Sequence, residues 1–298
     1  MTLPPAYIKM ISNIAMETDL STPIILLTDF GHEDAYVGIV KSVINSIAPQ
    51  SPIIDLTHAI PPGDLARAAF ELWRAKPYLP PACIVCVVVD PGVGSERRAL
   101  AMSWENQTFI GPDNGVFTYL LATSPPPVVV SLEDEMYWRR PVSDTFHGRD
   151  IFAPSAAHCA TGVTLDQLGP PAQNLVRLPL PRLELTEGPD VHGEILHTDS
   201  FGNLITSLGV LRIEGTDLLL EPWLPHCAPA RLPRLGLHVL LPNGGQLDIS
   251  QTFSDVDSGE TVAYIGSAGL MEIGINQGRA ADSLPFSVGH EIVLTYKG

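Results

Sequence analysis

Three short apolar runs, each meeting a carboxylate at its end, constrain this chain more than any other feature. IILL (Ile24 to Leu27) leads to Asp29, IID (Ile53 to Asp55) carries its own, and IVCVVV (Ile84 to Val89) runs into Asp90. Uncharged runs of this kind suit strands buried on both faces, as in parallel sheets. Between them, Asp34 to Ile47 has apolar residues at nearly every third or fourth position. A second helix is expected from Asp64, a suitable N-cap, to Ala75, ahead of Pro77. Strand and helix in alternation predict a mainly parallel α/β sheet with right-handed crossovers. Such sheets bind ligands beyond the carboxyl ends of their strands. Asp29, Asp55, His58 and Asp90 should therefore collect along one edge.

Further on, Phe109 to Gly111 leads into PDNG, VVVSL (Val128 to Leu132) reads as another strand, and a helix is expected from about Asp150 to Ala160 with Gly162 as its stop. From Gly169 to Pro189 proline and leucine dominate without helical period, as in a linker. Beyond, GEILHTD, NLITSL, LHVLL, TVAYIG, LMEIGI and EIVLTY are β-like runs separated by turns. The expected fold is thus α/β: an N-terminal mainly parallel α/β sandwich domain over 22–170, a linker over 171–189, and a smaller C-terminal all-β barrel domain over 190–298. Residues 1–21 are read as an extension, or as a start placed too early, with Met10 and Met16 as alternative starts.

The chain has 298 residues, 45% of them hydrophobic and 17% charged, the balance of a globular protein. Its formal net charge of -16 repels nucleic acid and anionic membranes and suits a cationic or zwitterionic small ligand better. Four cysteines are too few for a disulfide framework. Cys83 and Cys86 have CxxC spacing but fall in a strand-like run, where residues three apart face opposite ways. No stretch is long and apolar enough to span a membrane, and the first residues lack a signal-peptide pattern, so a reduced, cytoplasmic protein is expected.

Several segments carry candidate chemistry. In LTDFGHEDAYVG, Asp29 ends a strand, where a carboxylate accepts from ribose hydroxyls; a mere turn cap is the alternative. TDFG has a kinase-like look, but no VAIK-type lysine precedes it and HGRD follows it. In VVVDPGVGSERR, Gly92 and Gly94 allow a tight turn that returns Arg97 toward Asp90; a structural ion pair that only stabilises the loop is the alternative and, for this motif alone, the commoner case. That stretch lacks the third glycine of a dinucleotide fingerprint and the GK of a P-loop. In DTFHGRDIFAP, His147 precedes a helix and is suited to staying neutral as an acceptor; a structural hydrogen-bond partner is the alternative and, taken alone, the commoner case. HTDSFGNLI offers Asp199, Phe201 and Asn203, an aromatic face plus an amide, which suits adenine; a plain hairpin turn is the alternative. Ser267 stands in the glycine-flanked loop of YIGSAGLMEIGINQG. No histidine spacing suggests a metal site, and GxSxG is missing.

Taken in order, TDFGHEDAYVG, DLTHAI, VVVDPGVGSERR, FIGPDNG, TFHGRDIFAP, the DSFGN turn and GSAGLMEI resemble the SAM hydroxide adenosyltransferases, the hydrolase relatives of the fluorinase and chlorinase, over roughly residues 22 to 298. The resemblance implies an α/β domain followed by a β-barrel, and a homotrimer binding S-adenosyl-L-methionine (SAM) at subunit interfaces. It further implies hydrolysis to adenosine and L-methionine with no cofactor or metal, SAM being the substrate. The catalytic set it implies falls on Asp90, Arg97 and His147. Asp29 matches a ribose-binding aspartate, Phe201 and Asn203 adenine-site residues, and Asp199 and Ser267 positions near the methionine moiety. Asp34 matches an acidic position of the first loop without a stated role.

Halogenases of the superfamily carry tyrosine where Asp90 stands and Tyr-Ser where His147 and Gly148 stand; this chain has the hydrolase residues. Gly63, Ala268 and Ile275 replace an aromatic residue and two arginines of the fluorinase. Two rival functions remain open on the residues alone: a non-catalytic SAM or adenosine sensor, and a SAM-dependent halogenase.

Overall fold

The computed structural model describes residues 21–122, 127–186, 188 and 190–296. Except for Ser21, the N-terminal extension read from the sequence lies outside the described residues. The described residues form two compact units, one built from 21–68, 75–116 and 127–176, the other from 69–74, 117–122, 177–186, 188 and 190–296. In chain order the first elements are β1 (Ile24–Thr28), α1 (Tyr36–Ile47), β2 (Ile53–Thr57), α2 (Leu65–Ala75), β3 (Ile84–Val88), β4 (Ala99–Trp104), β5 (Gln107–Pro112), α3 (Thr118–Leu121), β6 (Val128–Ser131), α4 (Ala153–Ala160) and α5 (Leu165–Leu168).

The first unit is organised by a six-stranded sheet in the order β2-β1-β3-β5-β4-β6. β2, β1, β3 and β5 run parallel, with Ile24 opposite both Ile53 and Ile84, while β4 pairs antiparallel with β5 and β6. The sheet is thus mainly parallel, as the valine- and isoleucine-rich runs predict. All five residues of β1 and of β3 are buried, so both of their faces are covered. On one face Leu26, Cys86 and Val88 pack with Val40 and Ile44 of α1, with Phe152 and with Ala156 of α4. Parallel pairing places the carboxyl ends of β1, β2 and β3 on one edge, so Asp29, His58 and Asp90 emerge there.

The expected helix from Asp150 to Ala160 opens instead with a π-helical turn, Gly148–Phe152, before α4. Pro154 has no N–H to give the carbonyl of Asp150. That carbonyl accepts from Arg139 N at 2.8 Å instead, tying the turn to the preceding loop. The four cysteines are free thiols, and burial pushes Cys86 up to about 12.

The second unit holds β7 (Leu183–Leu185), β8 (Val191–Thr198), β9 (Leu204–Thr206), β10 (Leu211–Glu214), β11 (Asp217–Leu220), β12 (Ala230–Pro233), β13 (Leu237–Leu240), β14 (Gln246–Ser250), β15 (Thr261–Ile265), β16 (Met271–Ile275), α6 (Ala280–Ser283) and β17 (Glu291–Tyr296). β17, β13, β14, β15, β16, β9 and β8 pair in that order, and β8 pairs with β17 to close a seven-stranded barrel. Alternation is plain in β8, where Val191, Gly193, Ile195 and His197 are buried and the residues between them are not. β7 edges onto β8, within the segment read as a linker, and β10, β11 and β12 form a separate small sheet.

Candidate active site

The turn after β3 returns the chain on itself through two backbone bonds, Val93 N to Asp90 O at 3.1 Å and Ser95 N to Gly92 O at 3.1 Å. Gly94 has φ of +80°, and a Cβ there would lie 2.4 Å from the Asp144 carbonyl oxygen, so only glycine fits. This close approach presses the turn against the loop that carries His147. Arg97 comes back over Asp90, its Nε donating to Oδ1 at 2.8 Å and to Oδ2 at 3.1 Å and its Nη2 donating to Oδ2. The same Nη2 donates to His147 Nδ1 at 2.7 Å. The Arg97 and Asp90 side chains are only 9% and 6% exposed, which lifts this pair out of the class of weak surface ion pairs.

A guanidinium only donates, so His147 Nδ1 must accept and the ring's one proton sits on Nε2. Burial and the adjacent Arg97 charge hold His147 below its ordinary 6.5, outweighing the nearby carboxylates. The loop is pinned by fully buried Asp150, which accepts from Ser143 N at 2.9 Å and from Arg149 Nε and Nη2 at 2.7 Å each. Burial would raise the Asp150 carboxyl, but these donors hold it below the usual carboxylate range.

Asp29, Asp90 and His147 line one cavity of about 340 Å³, together with Phe30, Gly63 and Phe146. Asp29 accepts from Gly63 N at 2.8 Å. Burial raises its carboxyl and the facing Asp90 raises it further, against the lowering effect of that bond. Two carboxylates, one neutral imidazole and an arginine behind them therefore converge at the ends of β1 and β3. The arrangement can hold a cation, orient a water and accept hydroxyl protons. Asp34, by contrast, is exposed on the bend before α1 and does not line the cavity.

In the second unit Phe201 and Asn203 line another cavity, of about 450 Å³, with Phe253, Ile275, Gln277 and Arg279. Asp199 organises the turn, its Oδ1 accepting from Phe201 N at 2.9 Å and Asn203 N at 2.8 Å, its Oδ2 from Asn203 Nδ2 at 3.0 Å. Phe201 is 75% exposed, a large aromatic face held open by a rigid turn. Ser267 is exposed on the turn between β15 and β16 and lines neither cavity.

Sequence reasoning singles out Gly63 only as a departure from the fluorinase and misses its backbone N–H as a donor, though the PPG turn with φ of +72° is its trace. It also missed Phe253 and Arg279, which stand outside any motif. Glu272, on β16, receives the Tyr264 hydroxyl at 2.6 Å, and burial raises its carboxyl.

Models of the SAM hydroxide adenosyltransferase N-terminal domain and C-terminal domain match residues 24–169 and 193–293. The (R)-S-adenosyl-L-methionine hydrolase of Thermus thermophilus is 42% identical over 91% of this chain and 99% of its own length. A fluorinase from Actinopolyspora mzabensis is more distant, 23% identical over 94% of this chain and 99% of its own. Among solved structures, an uncharacterized conserved protein from Thermotoga maritima superposes with a TM-score of 0.78 at 32% identity, covering 91% of this chain and 100% of that one. The motifs at the strand ends, the paired α/β and barrel architecture and both domain matches agree, and the chain belongs to the SAM hydroxide adenosyltransferase family.

Proposed function

We propose that the chain hydrolyses SAM to adenosine and L-methionine, with Asp90, Arg97 and His147 holding the attacking water. The observation that carries this reading is the Arg97 bridge, which joins Asp90 to His147 at a cavity also lined by Asp29. The relative from Thermus thermophilus is named for the (R) form of SAM. We extend that preference to this chain; since L already fixes the amino-acid carbon, R denotes the sulfonium. No cofactor is needed, because the sulfonium already makes methionine a good leaving group.

In this reading Asp29 holds the ribose hydroxyls, and water attacks C5' opposite sulfur. As the C5'–O bond forms, the C5'–S pair returns to sulfur as a neutral thioether. The water's remaining proton needs an acceptor. His147 Nδ1 is occupied by Arg97, while the Asp90 carboxylate has lone pairs beyond those that Arg97 takes. Asp90 therefore takes the proton, and His147 orients the water through Nε2–H. Holding reactants in line supplies on the order of 7–11 kcal/mol of such a barrier, so positioning can carry most of the catalysis. Phe201 and Asn203 receive adenine, and Asp199 and Ser267 belong to the methionine end. Halogenase chemistry is disfavoured locally, because a Cβ at Gly148 would lie 2.9 Å from Val88 Cγ1, against the serine of halogenases. We further read the protein as a homotrimer with SAM at subunit interfaces, which the resemblance supports, and as cytoplasmic, which its free cysteines suit.

Incubation in ¹⁸O-labelled water should put label in the 5'-hydroxyl of adenosine, read by mass spectrometry; unlabelled product contradicts the reading. A log kcat against pH profile should stay level at neutral pH and fall on an acid limb that breaks below 6.5. The sign follows from His147: once protonated on both nitrogens it can no longer accept from Arg97, and two cations face each other. A break above 6.5 would remove His147 from that role. Light scattering should give about three times 32.1 kDa; a monomer would refute the trimer.

A further inference from the structure

The motif DLTHAI takes no part in the chemistry above, yet His58 is only 1% exposed and has a polar neighbour at each ring nitrogen. Its Nδ1 lies 2.8 Å from Thr28 Oγ1, and its Nε2 lies 3.1 Å from Asp55 Oδ1. Lys41 Nζ donates in turn to Asp55 Oδ2 at 2.6 Å. Burial opposes a charged Asp55, but Lys41 and His58 outweigh it and keep the carboxylate ionised. An ionised Asp55 fixes the ring proton on Nε2, so Nδ1 accepts from the Thr28 hydroxyl. That leaves the Thr28 oxygen to accept from Phe30 N at 3.3 Å. Donation thus runs from Phe30 N to Thr28, from Thr28 to His58 and from His58 toward Asp55, which Lys41 meets from the other side.

Threonine, histidine and aspartate in this order suggest a nucleophile, but Thr28 is 1% exposed and does not line the cavity. The chain of bonds ends instead on the loop around Asp29. Thr28 precedes Asp29 and Phe30 follows it, Gly31 N donates to His58 O at 2.8 Å, and Gly63 N, on the loop that His58 begins, donates to Asp29 Oδ2. Asp29 needs such restraint, because it faces Asp90 across the cavity and like charges drive the two apart.

We propose that His58 is a positioning residue: held between Asp55 and Thr28, it clamps the two loops that aim the Asp29 carboxylate into the cavity. The inference rests on Asp29 holding the ribose. His58→Leu, His58→Gln, Thr28→Val and Asp29→Asn variants of the full chain should be compared by calorimetry with adenosine and by steady-state hydrolysis of SAM. His58→Leu and Thr28→Val should each weaken adenosine binding and raise KM by about tenfold, with kcat changed much less. Added to Asp29→Asn, His58→Leu should weaken binding little further, since the two act through one carboxylate. His58→Gln, which can still reach Asp55, should recover part of the loss.

Unchanged affinity in both His58→Leu and Thr28→Val, or losses that add fully to those of Asp29→Asn, would overturn the proposal. Should His58→Leu fail to fold, Thr28→Val and His58→Gln decide the matter by the same readings. Adenosine affinity is read without turnover. A wild type that binds adenosine but leaves SAM intact would therefore sink the hydrolase reading alone, while the pattern of affinities still judged His58.

Discussion

The arrangement of this site depends on one guanidinium. Arg97 is enclosed, cannot lose its proton and cannot accept a hydrogen bond, so everything it touches must accept from it. It holds both oxygens of Asp90 and Nδ1 of His147, which fixes the carboxylate in place and sets the tautomer of the ring. Removing one member of such an enclosed pair typically costs about 3–5 kcal/mol, because the other charge is left without compensation. The cluster is thus a unit, and its geometry is set by what brings Arg97 back: a turn in which Gly94 alone can pass the Asp144 carbonyl.

The remaining parts can be ranked by how they support that unit. β3 delivers Asp90 because it is buried on both faces and its register with β1 is fixed by hydrophobic pairing. The π-helical turn delivers His147, and Asp150 beneath it gathers the donors of Ser143 and Arg149 so that the loop does not drift. Asp29 enters from β1 with a different restraint, a backbone N–H from Gly63 and the bond chain through His58. Two carboxylates facing one cavity repel each other, which a cationic sulfonium offsets when it arrives.

Much of this was legible in the sequence where local pattern and chemistry coincide. A buried strand followed by a carboxylate places that carboxylate at the binding edge, so Asp29 and Asp90 were found from apolar runs alone, and the β-rich half showed as alternation in β8. What escaped has physical reasons. β4, ALAMSW, mixes small and large residues without a clear period and is held by its antiparallel neighbours. β10 to β12 are short and lie outside the barrel. The π-helical turn closes with a wide bond from Ala153 N to Gly148 O, and a non-local bond from Arg139 takes the place of the N–H that Pro154 lacks. Gly63 acts through its backbone, while Phe253 and Arg279 reach the second cavity from separate loops. Family resemblance, rather than local pattern, joined Asp199, Phe201, Asn203 and Ser267 to the same reading.

The central claim is a single in-line displacement at C5' by a water held on Asp90 and His147. SAM made with one deuterium of defined configuration at C5' tests it directly, since the configuration of the adenosine product records the direction of attack. Inversion at C5' is the predicted result. Retention would require two displacements through a covalent adenosyl-protein intermediate and would contradict the account.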